Sequence, residues 1–423
     1  MNFDPNQKGM HPSDKKNLII FVLASLVMWF GFEHFVIQPR MEAAKKEQAI
    51  VEQSAPQSSV QADASDKIIS RDQKLAESKR LIIDTPELSG TISTTGNRID
   101  DISLKNYFVD LKNSEPVILM SPSETEHPHY AENGWLAATP DIKVPDKDTV
   151  WTINGNAKLS PTKPVTLTWS NGQGLTFEKT YQIDDHFMIS LTQKVTNTSG
   201  KAIDLYSYSS LTRRGIPEGH GSGVGYEGPL GYIADDLHEI GYADLDKEGM
   251  EKFTALSGWI GFGEKYWLSA MIPPQMQQNN FTFQSTPNLK DPSKGIYQVD
   301  IRGEKQTAQP KQSIETTTNL FVGAKKLALL NDYEEKLNIK HFDLAVDFGS
   351  LYFLTKPLYT LLIMFNGWVG NFGIAILLLT IVVRAAVFPL ANKSYRSFAG
   401  LRKVAPKMAE IKERYGNDKP RLH

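Results

Sequence analysis

The chain has 423 residues, enough for two or three domains with a buried core in at least one of them. Its 46 basic and 48 acidic residues nearly cancel, so the net charge of −2 says less than the uneven placement of the charges. There is no cysteine, which excludes disulfides, thiolate metal sites and a cysteine nucleophile.

Residues 1–16 are a short polar start carrying Lys8, Lys15 and Lys16, expected on the cytoplasmic side. Residues 17–37 (NLIIFVLASLVMWFGFEHFVI) are an apolar run about as long as a span of the roughly 30 Å hydrocarbon core requires. The basic start is that of a signal peptide, but Phe32, Glu33, His34 and Phe35 stand where a small-residue cleavage site would be. The expectation is an uncleaved signal anchor. Residues 38–80 (including EQSAPQSSVQADAS) are too poor in hydrophobic side chains to offset their ordering entropy and are expected to form a flexible periplasmic tether.

Residues 81–340 change character. Short alternating runs are broken by turn residues: Val165–Trp169, then Asn171-Gly172, Leu175–Tyr181, Met188–Val195, a turn over Asn197–Gly200, and Ile203–Tyr208. Further runs lie at Ile296–Ile301 and Ile314–Val322. Evenly spaced strands with Gly and Asn turns predict an antiparallel β-sandwich or barrel.

Catalytic signals in this region are weak. Gly223, Gly225 and Gly228 spell G-x-G-x-x-G, but Pro229 follows and no strand-to-helix turn surrounds it, which favours a loop over a nucleotide site. His127 and His129 beside Glu126 have metal-ligand chemistry without a visible third cluster, so a solvated loop around Pro128 is favoured. Asp184, Asp185 and His186 sit between two strands as a turn, and among 48 acids spacing selects no general acid/base pair. Nothing calls for a metal or another cofactor, and the chain is expected not to be an enzyme.

A helix is predicted over Ala324–Leu337, and residues 348–366 place Leu351, Leu354, Leu358, Leu361, Leu362 and Phe365 at helical spacing with Lys356 and Thr360 opposite. Such a segment before a span is expected to lie in the headgroup plane. Asn366, Gly367, Gly370 and Asn371 predict a turn into a second transmembrane helix at 368–391. Lys393, Arg396, Arg402, Lys403, Lys407, Lys412, Arg414, Lys419 and Arg421 then outnumber Glu410, Glu413 and Asp418, so 392–423 is expected inside and everything between the spans outside.

Inside the second span, no charge occurs from Pro357 to Val383 or from Ala385 to Asn392, yet Arg384 stands between them. A guanidinium keeps its proton, and at a bilayer centre it costs from about 3 to more than 10 kcal/mol. Either it faces a polar cavity, or it snorkels over the roughly 13 Å to Lys393.

A signal anchor, a tether, an exported β region containing GYEGPLGYIADDLHEIGYADL and GWIGFGEKYWLSAMIP, an amphipathic helix, then VGNFGIAILLLTIVVRAAVFPLANKSYRS and KMAEIKERYGND together resemble the YidC membrane protein insertases of Gram-negative bacteria. The resemblance covers essentially the whole chain. It implies a mixed fold: an all-β periplasmic supersandwich, similar to sugar mutarotases but without an assigned enzymatic role, plus transmembrane α-helices. It implies a multi-pass inner-membrane protein acting as an insertase and chaperone for nascent membrane proteins. The implied partners are the lipid bilayer, the Sec translocon and translating ribosomes, without sequence-specific nucleic-acid binding. By position it makes Arg384 the arginine of a hydrophilic groove within a five-helix bundle, and Thr380 a groove-lining residue. It also implies that such proteins continue through further spans beyond His423, so this chain is expected to be truncated within a cytoplasmic hairpin. The competing expectation is a membrane-tethered periplasmic carbohydrate-binding or mutarotase-like protein whose spans are only anchors.

Overall fold

The computed structural model describes residues 68–415 except 97, 113–114, 218–224, 289–290, 292–293 and 350. The expected signal anchor and most of the tether lie outside the described residues. Two compact units divide between Val346 and Asp347.

The first unit holds nineteen described strands: β1 Arg80–Asp84, β2 Leu88–Ser93, β3 Arg98–Phe108, β4 Pro116–Met120, β5 His129–Ala137, β6 Thr152–Asn154, β7 Lys158–Leu159, β8 Val165–Ser170, β9 Leu175–Ile183, β10 Met188–Asn197, β11 Ile203–Arg214, β12 Gly228–Ile233, β13 Asp236–Glu239, β14 Met250–Ala255, β15 Gly258–Gly263, β16 Trp267–Ile272, β17 Asn279–Thr286, β18 Ile296–Ala308 and β19 Ser313–Ala324. One sheet runs β14-β17-β18-β11-β5-β3-β2-β1-β7 with β4 paired to β3, and the other β13-β12-β15-β16-β19-β10-β9-β8-β6. Pairing is antiparallel except between β1 and β7. Helices α1 (Arg71–Leu75), α2 (Tyr242–Glu248) and α3 (Leu327–Leu337) accompany the sheets.

The alternation read in the sequence is the alternation of burial. Along β9, Leu175, Phe177, Lys179, Tyr181 and Ile183 are buried, while the residues between them are more exposed. Turns are set by side chains: the Asn171 carboxamide oxygen accepts the N–H groups of Gln173 (2.8 Å) and Leu175 (3.0 Å), with Gly172 at φ +71°. Strand β5 differs, since all nine of its residues are buried and it shows no two-residue period. Helix α3 and the 3-10 turn Phe342–Ala345 close one face through a ring cluster, with Phe342 5.5 Å from Phe321 and 5.4 Å from Trp259. The helix predicted from Ala324 begins later, because Ala324 is still held in β19 by pairing with Trp267.

The second unit is two helices, α4 (Tyr352–Val369) and α5 (Phe372–Tyr415). The break between them is narrower than the turn expected over Asn366–Asn371. Asn366 and Gly367 remain helical, and Gly370 alone takes the left-handed conformation (φ +66°) that ends α4, its N–H bonded to the Asn366 carbonyl. The Asn371 side chain then accepts the N–H of Gly373 (2.8 Å) and Ile374 (3.3 Å), capping α5.

Candidate functional site

Helix α5 carries the expected groove residues. Its stretch Phe372–Arg396 is, among the described helices, the one long and apolar enough to cross a membrane. Phe372 to Arg384 rises about 18 Å and Arg384 to Lys393 about 13 Å. In a hydrocarbon core of about 30 Å, Arg384 therefore falls near mid-depth, displaced toward the basic end.

The rotational position of Arg384 is as informative as its depth. Helices α4 and α5 pack on one another, and Phe365 of α4 and Ala375 of α5 are the buried side chains of the pair. Nine residues at about 100° each put Arg384 on the side of α5 opposite Ala375. Thr380, one turn earlier, shares that side. Both are exposed, and among the described residues Arg384 forms no hydrogen bond or ion pair. The Thr380 hydroxyl donates to the Ile376 carbonyl at 2.8 Å, which satisfies its proton and leaves the oxygen's lone pairs facing outward. Pro389 removes the amide that would bond the Ala385 carbonyl, adding a backbone acceptor beside Arg384. This acceptor was not picked out from the sequence, although the proline is visible there. A hydroxyl and a fixed positive charge thus lie on the face that α4 leaves uncovered, while Pro389 itself, fourteen residues after Ala375, falls on the Ala375 side of the helix. Around them Leu377, Ile381, Phe388 and Leu390 are more than half exposed, apolar surface that water would not tolerate.

Helix α4 is apolar on more than the stripe expected at 348–366. Of the expected stripe, Leu358, Leu361, Leu362 and Phe365 are covered to different degrees but Leu351 and Leu354 are exposed, as are Phe353, Ile363, Met364 and Trp368. The polar side is narrow: the Lys356 ammonium donates to the Tyr352 hydroxyl (2.7 Å), and the Thr360 hydroxyl donates to the Lys356 carbonyl (2.9 Å).

The weaker candidates of the β region are not assembled into a site. His129 is buried with Nδ1 3.0 Å from the Thr212 carbonyl, so that nitrogen donates. Burial and the nearby Arg213 charge hold its pKa well below the usual histidine value. His127 and Glu126 remain exposed, and no ligand cluster among the described residues includes them. The Asp184 carboxylate accepts the N–H groups of His186 (2.9 Å) and Met188 (3.0 Å) and the Tyr333 hydroxyl, which makes it a turn and docking residue. Gly228 opens β12, which pairs with β13 and β15 and leads to no phosphate-binding helix, while Gly223 lies outside the described residues.

One feature inside the sandwich escaped sequence reasoning. Lys179, at an inward position of β9, reaches across to the other sheet and donates to the Asn133 carbonyl at 2.6 Å, with its ammonium 4.9 Å from the Trp151 ring. Burial lowers its pKa to about 7 against the partly compensating charge of Glu132. Asp300 moves the other way, to about 7, through burial, although Gln298 and Gln284 donate to it at 2.6 and 2.8 Å.

Comparison with known proteins bears on the whole chain. The description "YidC periplasmic domain" matches residues 80–361 and "60Kd inner membrane protein" matches 364–423. The chain is 36% identical to the membrane protein insertase YidC of Bradyrhizobium diazoefficiens over 96% of its length and 71% of that protein's. It is 38% identical to that of Beijerinckia indica over 96% and 70%, and 37% identical to that of Rickettsia akari over 96% and 72%. The β region overlays on a galactose mutarotase related enzyme from Lactobacillus acidophilus with a TM-score of 0.41 at 10% identity, covering 58% of this chain and 97% of that one, which says nothing about activity. On the family matches and these identities, the chain belongs to the YidC family of membrane protein insertases.

Proposed function

We infer that this protein is an inner-membrane insertase and chaperone that helps nascent membrane proteins enter the bilayer and fold there, and that it does so without covalent chemistry. The observation that carries the site is the exposed arginine near mid-depth of a charge-free span, on the side of α5 turned away from α4. Arg384 and Thr380 line a hydrophilic groove closed by other transmembrane helices. Water and a fixed positive charge in that groove lower the cost of bringing polar, often acidic, segments of a client partway across. The client's apolar span then moves into lipid, driven by roughly 25 cal/mol per Å² of apolar surface removed from water.

The finer assignments belong to the same proposal. The protein is multi-pass, with 17–37 as signal anchor, a tether that ends before α1, where Arg71 and Lys74 pair with Asp101 and Glu124, a periplasmic β domain up to Val346, α4 at the interface, Phe372–Arg396 of α5 as second span and the basic residues after it in the cytoplasm. It receives clients from the Sec translocon and from translating ribosomes.

The decisive experiment expresses the protein from its native gene in cells depleted of their own insertase and follows insertion of a small client with an acidic exported tail. Arg384→Ala should lose most insertion, whereas Arg396→Ala, at the end of the span, should retain it. Equal insertion by both variants would leave snorkelling as the role of Arg384.

A further inference from the structure

One end of the β region gathers aromatic, aliphatic and basic side chains from separate chain segments. The β3–β4 hairpin projects Val109, 64% exposed, and Leu111, fully exposed. At its base Tyr107 stands edge-on to Trp267 with ring centres 5.2 Å apart, and Trp267 meets Tyr266 at 6.1 Å. Tyr266 is itself 59% exposed. Lysines frame these rings. The Lys265 ammonium lies 5.2 Å from the Tyr266 ring and that of Lys326 lies 5.6 Å from Tyr107, while the backbone N–H of Lys325 donates to the Tyr266 backbone carbonyl at 2.9 Å and ties the two segments together.

On the other flank of the β15–β16 turn, Glu264 pairs with Arg213 beside a cleft of about 250 Å³ that Ile118, His127 and Arg214 also line. Among the acids here, Glu264 is taken by Arg213 and Glu87 by Lys326. The same segments also carry Asp110 and Glu115 on the acidic side and Lys112, Lys265, Lys325 and Arg214 on the basic side, with the Asp110 carboxylate accepting the Lys112 backbone N–H at 3.1 Å.

We propose that this end of the β region is a membrane-docking surface that rests on anionic phospholipid headgroups, with Val109 and Leu111 reaching the acyl boundary. Tyr and Trp rings favour the headgroup layer because they are apolar in body and polar at the tip. Lysines beside them extend their stems over the apolar surface and hold their charge at the phosphates, where anionic lipid attracts each one. A fully exposed leucine at a hairpin tip is unfavourable in water, and a lipid boundary removes that cost. The proposal rests on the protein's residence in the membrane: the chain that carries Trp267 and Lys326 continues into α5, so docking is intramolecular and a weak surface suffices.

The absence of cysteine makes the test direct. The protein with Leu111→Cys is labelled with an environment-sensitive fluorophore and reconstituted into phosphatidylcholine vesicles containing phosphatidylglycerol as the minor component and a headgroup spin-labelled lipid. Only vesicles recovered by flotation are measured, so that every chain observed is membrane-bound. Position 111 should be strongly quenched. The control Lys201→Cys, in the turn after β10 at the far end of the same sandwich, should be nearly unaffected, since the twelve-residue β19 alone spans about 40 Å.

Lys265→Glu with Lys325→Glu should reduce quenching at 111 severalfold, as roughly fivefold per basic residue at an anionic surface implies. An unchanged far-UV circular dichroism spectrum and thermal transition would show that the double variant is folded. Vesicles of phosphatidylcholine alone, or raised salt, should act in the same direction. Equal quenching at 111 and 201, no quenching at 111, or indifference to the charge reversals would overturn the docking surface.

Discussion

In the proposed groove the Arg384 guanidinium would act on a client through its charge, its donor fork, or both. If a fixed charge is what the groove requires, Arg384→Lys should retain a measurable part of the insertion rate, whereas Arg384→Ala should fall by about tenfold or more, equivalent to about 1.4 kcal/mol of lost stabilisation. A lysine variant as inactive as the alanine variant would show that the planar donor fork matters. The buried ionisable groups of the sandwich behave differently. Lys179 has a folded pKa of about 7 against an ordinary 10.5, so between those values the unfolded chain holds more protons and stability rises with pH. Asp300 has a folded pKa of about 7 against 3.8, so over that window the folded state holds more protons and stability falls as pH rises. Together they predict a stability minimum near pH 7 in urea titrations of residues 68–346. Lys179→Met should remove the rise in stability above pH 7 and Asp300→Asn the fall that precedes it between about pH 4 and 7. A flat profile in the unsubstituted protein would contradict both shifts.

At the scale of elements, strand β19 shows how close packing restricts the sequence. A Cβ at Gly323 would sit 2.2 Å from the Phe187 ring, so the ring lies where a side chain would be. Phe187 also contacts Phe321 and, through its backbone N–H, the Tyr333 hydroxyl of α3 at 3.5 Å. Gly323→Val should therefore overpack the contact and destabilise the β domain by about 1–3 kcal/mol. Calorimetry should show a fall in Tm of roughly 2–4 °C for each kcal/mol. Gly200→Ala, with no atom within 4 Å of the added methyl, should change Tm little. In the membrane unit the separation of α4 from α5 depends on two residues, Gly370 for its left-handed turn and Asn371 for its cap. Asn371→Ala should cost the start of α5 about 1 kcal/mol.

For the whole molecule, the expected topology makes the sharpest prediction. Reporter fusions at Ser199 and Lys407 should label as periplasmic and cytoplasmic, because the basic excess after the span resists export. The opposite labelling would invert the proposed groove and remove its argument. The β domain should also fold when excised as residues 68–346, since its core cluster draws wholly on that unit. Circular dichroism of the excised domain should show β structure with a cooperative thermal transition. It should not accelerate aldose mutarotation, since its buried His129 donates to backbone and Asp184 is occupied by a turn and Tyr333.

The sequence by itself determined the features that depend on local pattern. Strands β8 to β10 and β19 were legible because one face of each is buried and the period is two; the apolar span and its arginine were legible because a charge in such a run is conspicuous. The resemblance to the insertase family was legible for the same local reason, through the residues around Arg384. Strand β5 was not legible, because burial of every residue erases the period, and neither were the glycine-rich β12 and β15, whose form is fixed by their neighbours. Only the tertiary structure decided that Lys179 points inward and is tolerated there, because the carbonyl it meets belongs to a strand more than forty residues earlier in the chain. Only the packing of α4 on α5 decided which way Arg384 faces. Depth along a helix is counted in residues, but the direction of a side chain is defined by what covers the opposite side.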